Sequence, residues 1–340
     1  MNSKYNLAYD DVLLRPQYSD IRSRSEIDIS SDLERGVLLK LPIFASPMDT
    51  VSEGAMANAM GFCGASAILH RYNTIEGQVD EANKVASPRM IGGAIGVSGD
   101  YLERAHALVE TGIDFLCVDV AHGHHIMMKE ALQALRLLFG DEYHIMAGNV
   151  ATLQGINDLA DWGANSVRCN IGGGSICSTR IQTGHGLPGL QTIIECAQTD
   201  RDVKIIADGG IKNSGDVVKA LAAGADAVMV GSLLAGTTET PGSISKDNHG
   251  QAWKEYRGMA SKEAQISWRG KYSSFEGVAS RVPYRGSVRV VMEDIERGIR
   301  SGFSYSGARN LRELQAKAKF LIQTTSGLSE SRTHITTRNW

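Results

Sequence analysis

Eight short apolar runs recur along this chain, and their spacing constrains its fold more than any other feature. They occupy residues 41–46, 66–69, 90–97, 114–120, 143–148, 165–170, 203–208 and 225–230. Between them lie segments with helical periodicity, such as IEGQVDEANKV, IMMKEALQALRLLFG and SGDVVKALAAGA, several closing on a glycine suited to a helix C-cap. A step of about 22 to 28 residues from run to run is the length of a βα unit in a parallel sheet. Eight such units predict a closed (β/α)8 TIM barrel, a single domain over residues 1–325, with a C-terminal tail at 326–340. In such barrels chemistry sits at the C-terminal ends of the strands.

The rhythm breaks once, between the sixth run and the seventh. The surplus there is a loop over residues 170–185 that contains GGGSICSTR at 172–180, and it falls at the barrel mouth. Around the barrel, residues 1–40 leave room for one or two short strands. An irregular stretch at 256–284 reads as a mobile lid. Helices are expected near 288–299 and 309–320, and the tail reads as flexible or packed on a neighbouring subunit.

Composition narrows the classes. A formal charge of −3 offers no basic field for nucleic acid. No apolar run approaches the roughly 18 residues needed to cross a bilayer, and the N-terminal residues lack a signal-peptide core. A cytoplasmic protein with no membrane partner is therefore expected. The five cysteines include no C-x-x-C pair, which argues against a disulfide framework or a zinc site.

Of these cysteines, Cys177 alone lies among glycines. Backbone amides converging at a glycine run favour a thiolate, so Cys177 reads as a nucleophile, with Thr179 near enough to handle a proton. Asp208-Gly209-Gly210 ends the seventh run and Gly231-Ser232 the eighth, where barrels hold phosphate on glycine amides. Asp208 would repel phosphate and is better suited to a ribose diol. Glu276 is a candidate acid or base if the lid folds over the mouth. Asp119, His122 and His124 follow the fourth run and Asn149 the fifth; no third strong ligand completes a metal site, so a hydrogen-bonding role near a cofactor is favoured. The G-x-G-x-x-G match at 184–189 follows polar TRIQT and contains Pro188, so it reads as a false dinucleotide fingerprint.

The GGGSICSTR loop resembles the cysteine loop of the IMP dehydrogenase and GMP reductase family. The likeness extends to DDVLLRP (10–16), SPMDTV (46–51), AGNVAT (147–152), ADGGIKNSGDVVKALAAGADAVMVGSLLAGT (207–237) and YRGM (256–259). It implies a purine nucleotide, GMP or IMP. Ser175, Gly209, Gly210, Gly231, Ser232 and Tyr256 would surround its phosphate and Asp208 its ribose, with Gly258, Met259 and Glu276 beside the base. It also implies Asp119 and Asn149 facing a nicotinamide cofactor, a potassium ion on carbonyls of Gly172, Gly174 and Cys177, and a homotetramer. The connection from Val85 to Ile91 leaves no room for the CBS pair common in dehydrogenases.

Two reactions share such a site. Dehydrogenases of the family carry a long flap with an adjacent Arg-Tyr pair that activates water. Here the interval 261–276 is short, and Arg269 and Tyr272 are separated by Gly270 and Lys271. That departure favours the reductase, converting GMP to IMP with NADPH through Cys177, Thr179 and Glu276. The alternatives are IMP dehydrogenase with NAD, which SPMDTV and EGVASRVPYRG resemble, and a catalytically weak nucleotide-binding homologue. Further departures are Arg71 for a usual lysine, Asn170 for glycine, Gly173 for proline and His185 for valine.

Overall fold

The computed structural model describes residues 6–86, 90–272 and 276–333. Eight parallel strands close into a barrel: Ile43–Ala45, Ser66–Leu69, Ile91–Ile95, Phe115–Asp119, His144–Val150, Ser166–Cys169, Lys204–Asp208 and Ala227–Val230. The eighth pairs with the first through Val228 opposite Ile43, which removes any open edge. Each strand coincides with one apolar run, the fifth extending to Val150. Strands buried on both faces need continuous apolar side chains, and Ile91–Ile95 is buried at all five positions.

Helices pack outside on apolar stripes. The helix Ile126–Phe139 buries Met128, Ala131, Leu132 and Leu135, the i, i+3, i+4, i+7 positions of one face. Inside, Phe44, Ile68, Phe115, Met146, Ile206 and Met229 pack with Leu33, Val37 and Leu39. The last three come from an N-terminal hairpin that pairs Ser31–Asp32 with Leu38–Leu39. Glu34 of that hairpin meets Lys204, the first residue of the seventh strand, at 2.6 Å. The hairpin thus plugs the end of the barrel opposite the mouth.

Outside the barrel the expected segments take definite form. The stretch 256–284 contains regular structure in its described parts: Ala252–Arg257 pairs antiparallel with Ala279–Pro283, and Lys262–Arg269 is a helix capped by Ser261. Residues 273–275 of the interval lie outside the described residues, as do 87–89. The helix expected over 309–320 runs only from Leu311 to Lys317, because Phe320–Ile322 pairs instead with Val12–Leu14. In the tail, Thr325–Glu330 is helical, capped by Thr324; residues 334–340 lie outside the described residues. The helix expected near 288–299 continues to Tyr305. Among the described residues no helix is long and apolar enough to cross a membrane.

Candidate active site

One cavity opens at the C-terminal ends of the strands, about 1170 Å3 with its mouth included. Its walls bring together Cys177, Thr179 and Glu276, the glycines and serines of the two phosphate-type turns, Tyr256, Gly258, Met259, Asp119, Asn149 and Asp208, and Gly172 and Gly174. Residues more than 100 positions apart in the chain meet here because every strand delivers its last residue to the same rim.

The cysteine loop leaves the sixth strand at Asn170 and turns where the Cys177 amide donates to the Gly174 carbonyl at 3.1 Å. The lid then zips onto it. Ser178 N donates to Glu276 O at 2.9 Å, Val278 N to Ile176 O at 3.0 Å and Gly258 N to Val278 O at 3.0 Å. Gly258 and Gly277 allow this approach, since a Cβ on Gly258 would lie 3.3 Å from the Gly277 Cα. The zipper carries the Glu276 carboxylate over Thr179. The Cys177 thiol donates to Thr179 Oγ1 at 3.2 Å, and that hydroxyl donates to Glu276 Oε2 at 2.6 Å. Both donors point one way, so a proton leaving sulfur has a path to a carboxylate.

At the other end of the cavity Gly209 and Gly210 hold φ of 80° and 76°, and the Ser175 and Tyr256 hydroxyls stand 3.5 Å apart. Positive φ at both positions suits a tight turn that glycine forms without strain, and within it the Gly209 amide donates to the Met229 carbonyl at 3.3 Å. Burial pushes the Tyr256 phenol up from its ordinary value, which keeps it a neutral donor near pH 7.

The floor carries a charge that sequence reading did not single out. Arg168, buried in the sixth strand, donates from Nε and Nη2 to Asp208 Oδ2 at 3.1 and 2.8 Å, and from Nη1 to Asp119 Oδ1. Burial opposes its charge, yet the carboxylates of Asp208 and Asp119 hold its pKa well above the ordinary value. A register shift between Gly148 and Val150 takes Asn149 out of the ladder, and its Nδ2 donates to Asp208 Oδ2 at 2.7 Å and to Asn170 O at 3.0 Å. All three of these hydrogen bonds reach Asp208 through Oδ2 and none of them through Oδ1. The signal for Arg168 was present: an arginine inside a buried strand needs an acidic partner.

Above Asp119, Arg71 donates from Nη2 to the Asp119 carbonyl at 3.1 Å and lies 5.0 Å from the Tyr72 ring centroid. Tyr72 meets Trp268 of the lid helix edge-on at 5.5 Å, and the Arg269 guanidinium lies over that indole at 4.6 Å. His124 pairs with Asp158 at 2.7 Å and stands away from the cavity walls. Gly184 of the G-x-G-x-x-G match ends a short helix, Thr179–Thr183, and no strand precedes it.

For a nicotinamide, Asp119 and Asn149 stand on one wall; the Asn149 nitrogen is engaged twice, so its carbonyl oxygen is the group available to a carboxamide. For potassium, Gly172, Gly174 and Cys177 would supply only part of the oxygen shell that replaces its water. Among the described residues no three His, Cys, Asp or Glu side chains cluster to hold another metal.

Comparison with known proteins places the chain among relatives of one family. A family profile described as "IMP dehydrogenase / GMP reductase domain" matches residues 6–334. Inosine-5'-monophosphate dehydrogenase from Nitrosopumilus maritimus is 32% identical, covering 98% of this chain and 99% of that protein. GMP reductase from Leishmania major is 31% identical, covering 96% of each. Among solved structures, a cysteine-to-alanine variant of GMP reductase from Trypanosoma brucei in complex with guanosine 5'-monophosphate superposes with a TM-score of 0.92 at 29% identity, covering 98% of both chains.

Proposed function

Because this chain belongs to the IMP dehydrogenase / GMP reductase family of oxidoreductases, we propose that it is the reductive member, converting GMP to IMP and ammonia with NADPH. The observation that carries the choice is the lid. Arg269 stacks on Trp268 and Tyr272 lies against Lys262, with the ammonium 4.8 Å from its ring centroid. Neither lines the cavity around Cys177. A dehydrogenase must activate water to release its covalent purine, and these two side chains are turned away from that task.

In this reading Glu276 draws the thiol proton through Thr179, and Cys177 Sγ bonds to C2 of the purine. The proton returns along the same path to the 2-amino group, which leaves as ammonia when its C–N bond breaks. Reduced nicotinamide, when bound, would supply hydride to C2; the C–S bond then breaks with its electrons on Cys177 Sγ, and IMP departs. Tyr256, Ser175 and the amides of Gly210, Gly231 and Ser232 hold the phosphate, Asp208 Oδ1 holds the ribose, and Gly258 and Met259 flank the base. Asp119 and Asn149 orient the nicotinamide. A homotetramer, a potassium ion near Gly172 and Gly174, and a cytoplasmic setting belong to the same proposal.

The competing reading is IMP dehydrogenase with NAD, favoured by the full-length likeness to the Nitrosopumilus enzyme. One paired assay separates them: NADPH oxidation with ammonia release on GMP against NADH formation on IMP. Cys177→Ala is expected to abolish turnover while nucleotide still binds. NADH formation from IMP with no reaction on GMP would overturn the proposal.

A further inference from the structure

The tightest steric coupling in the cysteine loop joins Asn170 to Gly173. Asn170 is buried and holds φ of 153°, in the region that glycine favours. Strain of this kind persists only where the surroundings over-determine it. Its carboxamide fills the space that a side chain at position 173 would need: a Cβ on Gly173 would come within 2.0 Å of Asn170 Nδ2 and 2.7 Å of its Cγ. Asparagine at 170 and glycine at 173 are therefore a matched pair, wedge and slot.

The wedge touches two functional segments at once. Its Oδ1 accepts from Arg180 Nη2 at 3.2 Å, and its Nδ2 lies 3.5 Å from the Gly209 carbonyl. Arg180, three residues past Cys177, also donates from Nε to Ile171 O at 3.0 Å and from Nη2 to Leu187 O, which ties both ends of the loop together. Across the contact, a Cβ on Gly209 would lie 3.2 Å from Gly174 N, so the two backbones touch. Packed elements of this kind shift together.

We propose that Asn170 is a positioning residue: its carboxamide, seated in the slot left by Gly173, couples the loop of Cys177 to the Asp208–Gly210 turn, so that an anionic 5'-phosphate at the turn sets the placement of the sulfur. The proposal rests on Cys177 being the nucleophile. It adds a linkage between phosphate binding and thiol placement that runs through the protein and does not require the purine.

The test uses the full chain as wild type, Asn170→Gly, Gly173→Ala, the double variant and Cys177→Ala. Alkylation of Cys177 by iodoacetamide is timed with and without ribose 5-phosphate, which reaches the turn without a base over the sulfur. The sugar phosphate is expected to change the wild-type alkylation rate about threefold or more and to leave Asn170→Gly nearly unchanged. In turnover, Asn170→Gly should lower kcat about tenfold with a smaller change in KM, the signature of a displaced reacting group. Gly173→Ala should be costly in the wild-type background and cost less than about threefold once residue 170 is glycine. If Gly173→Ala fails to fold, Asn170→Gly decides alone. Wild-type kcat and intact phosphate-linked alkylation in Asn170→Gly would overturn the proposal, as would equal cost of Gly173→Ala in both backgrounds. Turnover by Cys177→Ala would instead defeat the nucleophile reading.

Discussion

Replacing Arg168 with methionine tests the electrostatics of the cavity floor. Methionine fills most of the volume but leaves Asp119 and Asp208 without their shared cation. An opposite pair at about 4 Å interacts by about 4 kcal/mol at an effective dielectric constant near 20, and removing one partner of a buried pair costs about 3–5 kcal/mol. At about 2.1 cal/mol/K per residue, the 340-residue chain has an unfolding entropy of about 0.7 kcal/mol/K, so Tm should fall by about 4–7 °C. The same uncompensated charge should repel a dianionic phosphate and raise nucleotide KM by about tenfold, equivalent to about 1.4 kcal/mol. Calorimetry at pH 7 reads the first effect and steady-state kinetics the second. Adding Asp208→Asn to Arg168→Met should recover part of the lost Tm, because Asp208 is the more stranded charge whereas Asp119 keeps Arg71 at 3.9 Å. A Tm loss below about 1 °C, or no recovery in the double variant, would refute the view of Arg168 as the counterion of both carboxylates.

Three further outcomes are expected. Glu276→Gln keeps a hydrogen-bond acceptor for Thr179 but cannot take its proton, so kcat should drop by about a hundredfold or more with little change in nucleotide binding by calorimetric titration. Two groups at the plugged end of the barrel oppose one another in pH dependence. Burial pushes His144 down to about 4, so as pH falls from about 6.5 to 4 the unfolded chain takes a proton that the fold refuses, and up to about 3 kcal/mol is lost. Burial pushes Asp226 up to about 6, so the fold keeps a proton that the unfolded chain releases, and over nearly the same range it gains a similar amount as pH falls. Asp226→Asn should therefore be the more stable protein at pH 7 and lose Tm steeply toward pH 4, whereas wild type should respond weakly; parallel Tm–pH curves would contradict this. Finally, a Cβ on Gly92 would lie 2.2 Å from the Phe115 ring, so Gly92→Ala should destabilise the barrel by about 1–3 kcal/mol or more, and Phe115→Leu should relieve part of that loss in thermal melts.

The barrel was legible because burial on both faces imposes a local rule. A parallel strand such as Ile91–Ile95 must be apolar throughout, and a helix such as Ile126–Phe139 must carry its apolar stripe at 3.6-residue spacing, wherever the partners lie in the chain. The position of Cys177 was legible for a related reason: surplus residues between regularly spaced strands must form a loop at an end of the barrel. The lid was not. Ala279–Pro283 is mostly exposed and shows no apolar pattern, and it is a strand only because Ala252–Arg257 pairs with it. Phe320–Ile322 likewise lost its expected helix to Val12–Leu14, more than 300 residues away.

The sequence alone thus determined the number and order of βα units and the placement of the Cys177 loop at the rim, since periodic burial and chain spacing are local properties. Tertiary structure decided which charges meet: Arg168 with Asp119 and Asp208, Glu276 with Thr179, Asn170 with the slot at Gly173. Coulomb attraction and steric exclusion depend on distance in space, and closing the barrel is what sets those distances.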